Sequence, residues 1–406
     1  MKTVVDRFLR YVQVDTESVP EADCFPSSEK QKNLGAILVE ELKEMGVGDA
    51  RMDSYGYVYA TIPSTTDKEL PVIGMIAHMD TSSAVSGKDV KPRIVENYDG
   101  GDILLNEAQN IVLKTEDYPE ILDYKGQDII VTDGTTLLGA DDKAGVSEIM
   151  TLCDYLMHNG TAHGTLKIAF TPDEEVGRGA DYFDVKGFGA DFAYTVDGGE
   201  LGELEYENFN AASLKLTVNG VSTHPGTAKN KMKNALLMGM EFQKMLPACE
   251  TPEYTEGYEG FYHLDQFEGT VEKAEMTYII RDHDRAKFEK RKDRAEKICD
   301  YLNDLYGAGT FEYVLSDSYY NMKEKIEPHI HLVDNVRKAM EAAGVGPKVT
   351  AIRGGTDGAR LSYMGLPCPN IFTGGHNFHG RFEYIPVQSM EKAVEVLTHL
   401  VELYSV

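Results

Sequence analysis

The apolar run from Leu70 to Ala77, LPVIGMIA, ends in His78 and, two residues on, Asp80. Residues two apart in an extended chain point to the same side. An imidazole and a carboxylate therefore arrive together at the end of a strand that reads as buried on both faces. In parallel sheets, ligands bind just beyond such strand ends. The pattern recurs. LLGADDKAG sets Asp141 and Asp142 in a glycine-bounded turn ahead of a helix, and KIAFTPDEEVG runs a strand into Asp173, Glu174 and Glu175. FAYTVDGGE runs into Asp197, and PNIFTGGHNFHG into His376 and His379. Gathered at one sheet edge, these acids would repel and raise one another's pKa. A dication removes that cost. Imidazole and carboxylate without thiolate suit zinc, cobalt or manganese in a catalytic rather than a structural site. There are more such groups than one catalytic zinc needs, so two metals are expected.

The elements that must position these groups alternate. After an amphipathic N-terminal helix, SSEKQKNLGAILVEELKEMG reads as a second one, with Ser28 and Gln31 as a capping box and Gly46 as its stop. Strands are predicted over 56–62 and 72–77, and a turn-rich stretch with hairpins over 96–136. A helix over 144–158, a strand over 165–170, a short helix near Gly179 and a strand over 192–196 follow. Strand and helix in alternation predict an α/β fold, a mainly parallel sheet with helices on both faces. The pattern changes after Gly202. Strand, helix, strand, helix and strand then predict a smaller α+β domain inserted at 209–321, the position of a lid in the family named below. The catalytic domain is accordingly discontinuous, 1–208 and 322–406, and ends in a helix over 387–404.

The formal net charge of -27 opposes binding to nucleic acid or to an anionic membrane surface. Apolar stretches are strand-sized, too short for a membrane span. The N-terminal segment MKTVVDRFLRYVQVDTES carries charges within its apolar pattern, unlike a signal peptide. Five scattered cysteines without a Cys-x-x-Cys pair point to reduced thiols and a cytoplasmic setting.

The motifs HMDT, GADDKAG, TPDEEVG, VDGGE, STHPG, IIRDHD, RGGTDG and GGHNFHG occur in that order. Together they resemble the two-zinc peptidases related to carboxypeptidase G and the aminoacylases. The resemblance covers essentially the whole chain and is strongest to the family's tripeptide aminopeptidases. It implies a metallo-aminopeptidase that releases the N-terminal residue of tripeptides with two Zn²⁺ per chain, Co²⁺ or Mn²⁺ being substitutes. It makes His78, Asp141, Glu175, Asp197 and His379 the metal ligands, with Asp141 bridging. His78 and Asp197 would complete one site, Glu175 and His379 the other. Glu174 matches the general base, and Asp80 the residue that orients His78. His224 matches a lid histidine that holds the oxyanion. Arg281 matches the cation that grips the substrate's terminal carboxylate, with Arg353 nearby unless Asp357 pairs with it. His376, Asp142 and Asp173 stay outside the ligand set. In some relatives the lid pairs two subunits, so a homodimer is an open arrangement. Two alternatives also stand. A dipeptidase or N-acyl amino acid hydrolase of the same family would differ in what meets the amino end, acids or an apolar pocket. A non-catalytic peptide or metal binder would have no use for Glu174.

Overall fold

The computed structural model describes residues 2–405, which divide into two compact units. The first comprises the chain up to residue 206 together with 324–350 and the residues from 356 onward; the second comprises 207–323 and 351–355.

The first unit is organised by the apolar run met above. All six residues of the strand Ile73–His78 are buried, because it is flanked on both sides by parallel neighbours, Leu166–Thr171 and Phe192–Gly198. Asn370–Phe372 adds a fourth parallel strand beside Phe192–Gly198. The eight-stranded sheet runs Arg51–Met52, Val58–Ile62, Leu166–Thr171, Ile73–His78, Phe192–Gly198, Asn370–Phe372, Glu203–Asn208, Lys348–Ile352. Val58–Ile62 and Glu203–Asn208 join antiparallel. The α/β fold with a largely parallel sheet is thus borne out in its central strands, and antiparallel strands flank them.

On one face Ile76 packs in a cluster with Phe188, Ala193 and Leu361. The helix Ala140–Asn159 lies against Ile73–His78 and Phe192–Gly198. Gly145 permits its close approach, since a Cβ there would stand 1.9 Å from the Val196 carbonyl oxygen. Gly46, at φ 96°, ends the helix Gln31–Glu44 as expected. The capping box does not form. The N-cap is Lys30, without a side-chain cap bond, because the Gln31 amide is engaged by Asp173 instead. The short helix expected near Gly179 lies further on, at Val185–Phe188, capped by Asp184.

Glu148 departs from the apolar logic of its helix. It is wholly buried, and neither carboxylate oxygen has a hydrogen-bond partner. Burial pushes its pKa well above the ordinary carboxyl value. The native state then keeps a proton that the unfolded chain releases above about pH 4.5, so this group lowers stability as pH rises. Glu148→Met, similar in length and free of the polar group, is expected to raise stability by about 1–3 kcal/mol near neutral pH. The gain should grow from pH 5 to pH 8 in denaturation melts. An equal or negative difference across that range would show that the carboxyl has a stabilising partner.

In the second unit, four antiparallel strands stand in the order Phe261–Gly269, Lys273–Asp282, Asn210–Asn219, Phe311–Tyr319. Strict alternation sends Ala274, Met276, Tyr278 and Ile280 into a core shared with Phe242, Phe288 and Leu302 of the helices Ala235–Met245 and Arg285–Tyr306. Arg281, next in register to Ile280, takes the other face and pairs across to Ala211 and Phe261.

Candidate active site

At the carboxyl end of Ile73–His78 the imidazole is almost fully enclosed. Its Nδ1 lies 3.1 Å from the Asp80 carbonyl oxygen and 3.4 Å from the Asp80 carboxylate. With Nδ1–H donating to Asp80, Nε2 presents its lone pair. That nitrogen stands 2.9 Å from one oxygen of Asp141 and 3.5 Å from Asp197. The other Asp141 oxygen is 3.0 Å from His379 Nε2, which in turn lies 2.9 Å from Glu175. His78, Asp141 and Asp197 therefore form one donor group, and Asp141, Glu175 and His379 a second, each with its ligand atoms within 4.8 Å of one another. The five residues proposed as ligands come together, and Asp141 is common to both groups.

The chemistry of this set fits a pair of dications. A Glu175 oxygen is buried with no partner. Burial and the charge of Asp141 push Glu175 up to about 7. Hydrogen bonds to Asp141 and Glu175 push His379 up to about 11. Burial opposes the charge on His78, but Asp197 and Asp141 hold its pKa well above the ordinary value. Protons are thus shared among carboxylates and imidazoles that would be anionic and neutral as metal ligands.

Other carboxylates fix the backbone around these groups. Asp80 does more than face His78: its two oxygens accept the N–H groups of Glu174 (3.0 Å) and Glu175 (3.1 Å). Asp142, fully buried, accepts the His78 N–H at 3.0 Å; the peptide bond joining it to Asp141 is cis. Asp173, at φ 59°, accepts from the Ser27 N–H and hydroxyl and from the Gln31 amide. Asp357 accepts from Thr171 at 2.7 Å, and its carboxylate rests where a side chain at Gly179 would stand. Glu383 accepts from Leu138, Gly139 and Asp141. Sequence reasoning set Asp142 and Asp173 aside as non-ligands and passed over Glu383. The one available signal for Glu383 was an acid placed between Phe382 and the strand Tyr384–Pro386.

His376 joins neither group. Its Nε2 meets the Tyr124 hydroxyl at 2.7 Å and its ring stacks on Tyr384.

Three predicted residues belong to the second unit. His224 is in an exposed turn, and its Nδ1 accepts the Gly226 N–H at 3.1 Å; the neutral ring then carries its proton on Nε2. Arg281 is half-buried, donates to the carbonyls of Ala212 and Ile280, and lies over the Tyr319 ring. Arg353 is tied within its own unit. Its guanidinium is committed to the loop at 255–259, donating to Gly257 O, Glu259 O, Thr255 O and the Thr255 hydroxyl. It braces that loop, and Asp357 does not pair with it.

A mixed sheet whose strand ends gather two overlapping His–carboxylate groups, with an α+β unit inserted in the chain, fits a metal-dependent hydrolase. Residues 206–310 match the family described as the peptidase dimerisation domain. Peptidase T of Clostridium novyi is 61% identical over 406 residues, covering 100% of both chains. Among solved structures, the aminopeptidase PepT from Bacillus cereus superposes with a TM-score of 0.79 at 23% identity, over 99% of this chain and 98% of that one. A tripeptidase from Staphylococcus aureus gives 0.80 at 20% identity, over 99% and 98%. The chain belongs to the peptidase T family. The family reading taken from the motifs is borne out.

Proposed function

We propose that this chain is a cytoplasmic two-zinc aminopeptidase that removes the N-terminal residue of tripeptides. The observation that carries the reading is Asp141, whose two carboxylate oxygens face His78 and His379 separately. His78 and Asp197 would hold one ion, Glu175 and His379 the other, with cobalt or manganese as substitutes. Ions held by these residues would supply an acidified water and a Lewis acid for the scissile carbonyl.

The chain's own residues do the rest. Glu174 accepts the proton of the attacking water and delivers it to the departing amine. Asp80 keeps that glutamate in place through its backbone N–H. From the second unit, as the family resemblance implies, the His224 Nε2–H donates to the oxyanion. Arg281 receives the substrate's carboxylate through its guanidinium. Five unpaired cysteines suit a reducing compartment. The match of 206–310 to a dimerisation domain supports a homodimer formed through the second unit.

The test is hydrolysis of di-, tri- and tetrapeptides, each with a free or amidated carboxyl end, by zinc-loaded enzyme. Tripeptides with a free carboxylate should be cleaved fastest, at the first bond. Faster release from dipeptides or from N-acyl amino acids would move the chain to another specificity within the fold.

A further inference from the structure

Glu383 is 2% exposed and belongs to neither donor group. One of its oxygens accepts the N–H groups of Leu138 at 2.7 Å and Gly139 at 2.8 Å; the other accepts that of Asp141 at 3.1 Å. These donors surround the start of the helix Ala140–Asn159, whose N-cap, Gly139, has no side chain to supply. A helix start leaves N–H groups unsatisfied and favours negative charge. A carboxylate from a distant segment serves both needs.

The segment it comes from matters more. Glu383 ends the loop that carries His379, and backbone bonds between His376 and Tyr384 close that loop. One side chain therefore ties the turn of Asp141 to the loop of His379, whose side chains meet at 3.0 Å. The other donor group has separate ties. Asp142 holds the His78 backbone, and the Asn370 amide donates to the Asp197 carbonyl.

We propose that Glu383 is a positioning residue that sets the separation of Asp141 and His379, so that the Glu175–His379 site depends on it and the His78–Asp197 site does not. This rests on reading both donor groups as metal sites. Loss of the tie frees the His379 loop from the Asp141 turn, while Asp142 still holds that turn to His78. In Glu383→Gln the side chain keeps its length but can accept with only one atom. Its amide nitrogen then faces an N–H group that it cannot receive.

The experiment is zinc titration of metal-free protein against a chromophoric chelator, for the wild type, Glu383→Gln and Glu383→Ala, with thermal melts of each. The wild type should take up two ions. In the variants one binding phase should weaken by about 10- to 100-fold, the scale for partners that orient ligands, while the other stays unchanged. Should Glu383→Ala fail to fold, the glutamine variant carries the test. A purely structural role would lower the melting temperature and leave both phases unchanged or weaken them equally, and either result overturns the inference. A wild type that takes up a single ion overturns the two-metal reading itself, and this inference with it.

Discussion

Replacing Glu174 by glutamine is expected to lower turnover of a tripeptide by about 10²-fold or more, the scale of a lost general base, with metal content unchanged. The side chain is not in either donor group. Burial and the nearby charge of Asp197 push its pKa well up. The glutamine is close in size and polarity but cannot accept that proton. Its backbone N–H remains available to Asp80, so the loop that also carries Glu175 stays in place. Turnover at saturating substrate and metal per chain, measured on the same preparation, separate base from ligand. Near-wild-type turnover would remove Glu174 from the mechanism. Loss of metal along with activity would make it a ligand.

The segments that carry the two donor groups were legible because each interrupts an apolar strand with a polar group, as at His78, Glu175 and Asp197. That signal is local in sequence. The ties between the segments are not. Glu383 reaches Leu138 across 245 positions, and Asp173 reaches Ser27 across 146. Neither residue differs in type or spacing from an ordinary loop acid. Gln31 shows how a local pattern is overridden: its Oε1, which a capping box would aim at a helix N–H, accepts the Asp173 backbone N–H, while its Nε2 donates to the Asp173 carboxylate. Arg353 shows the converse. Opening RGGTDG, it reads as a cation near the substrate carboxylate, while in the fold its two terminal nitrogens donate to four acceptors in the loop at 255–259. In the sheet, strand periodicity located the elements, while the antiparallel pairing of Val58–Ile62 and Glu203–Asn208 depends on connections that periodicity does not encode.

Arg281→Ala is expected to reduce kcat/KM for tripeptides by about 30- to several-thousand-fold. That corresponds to the roughly 2–5 kcal/mol lost when one partner of a desolvated charge pair is removed. The guanidinium is partly desolvated by burial, and the group acting to sustain its charge is the Tyr319 side chain rather than a carboxylate. A partly desolvated cation without an anionic partner is costly, and a substrate carboxylate would offset that cost. If Arg281 takes the terminal carboxylate of a peptide whose first bond is cut, peptide length decides whether the guanidinium is reached. A dipeptide would fall short, and a tetrapeptide would carry its carboxylate too far. The variant should therefore lose tripeptide cleavage most and show a narrower preference over longer peptides. Amidating the tripeptide should harm the wild type by a similar factor and add little to the loss in Arg281→Ala, because the partner it would deprive is already gone. Equal harm from amidation in both enzymes would place carboxylate recognition on another group. Arg353 would then be the next candidate, since its bonds to the loop at 255–259 run from its two terminal nitrogens and leave Nε–H to donate.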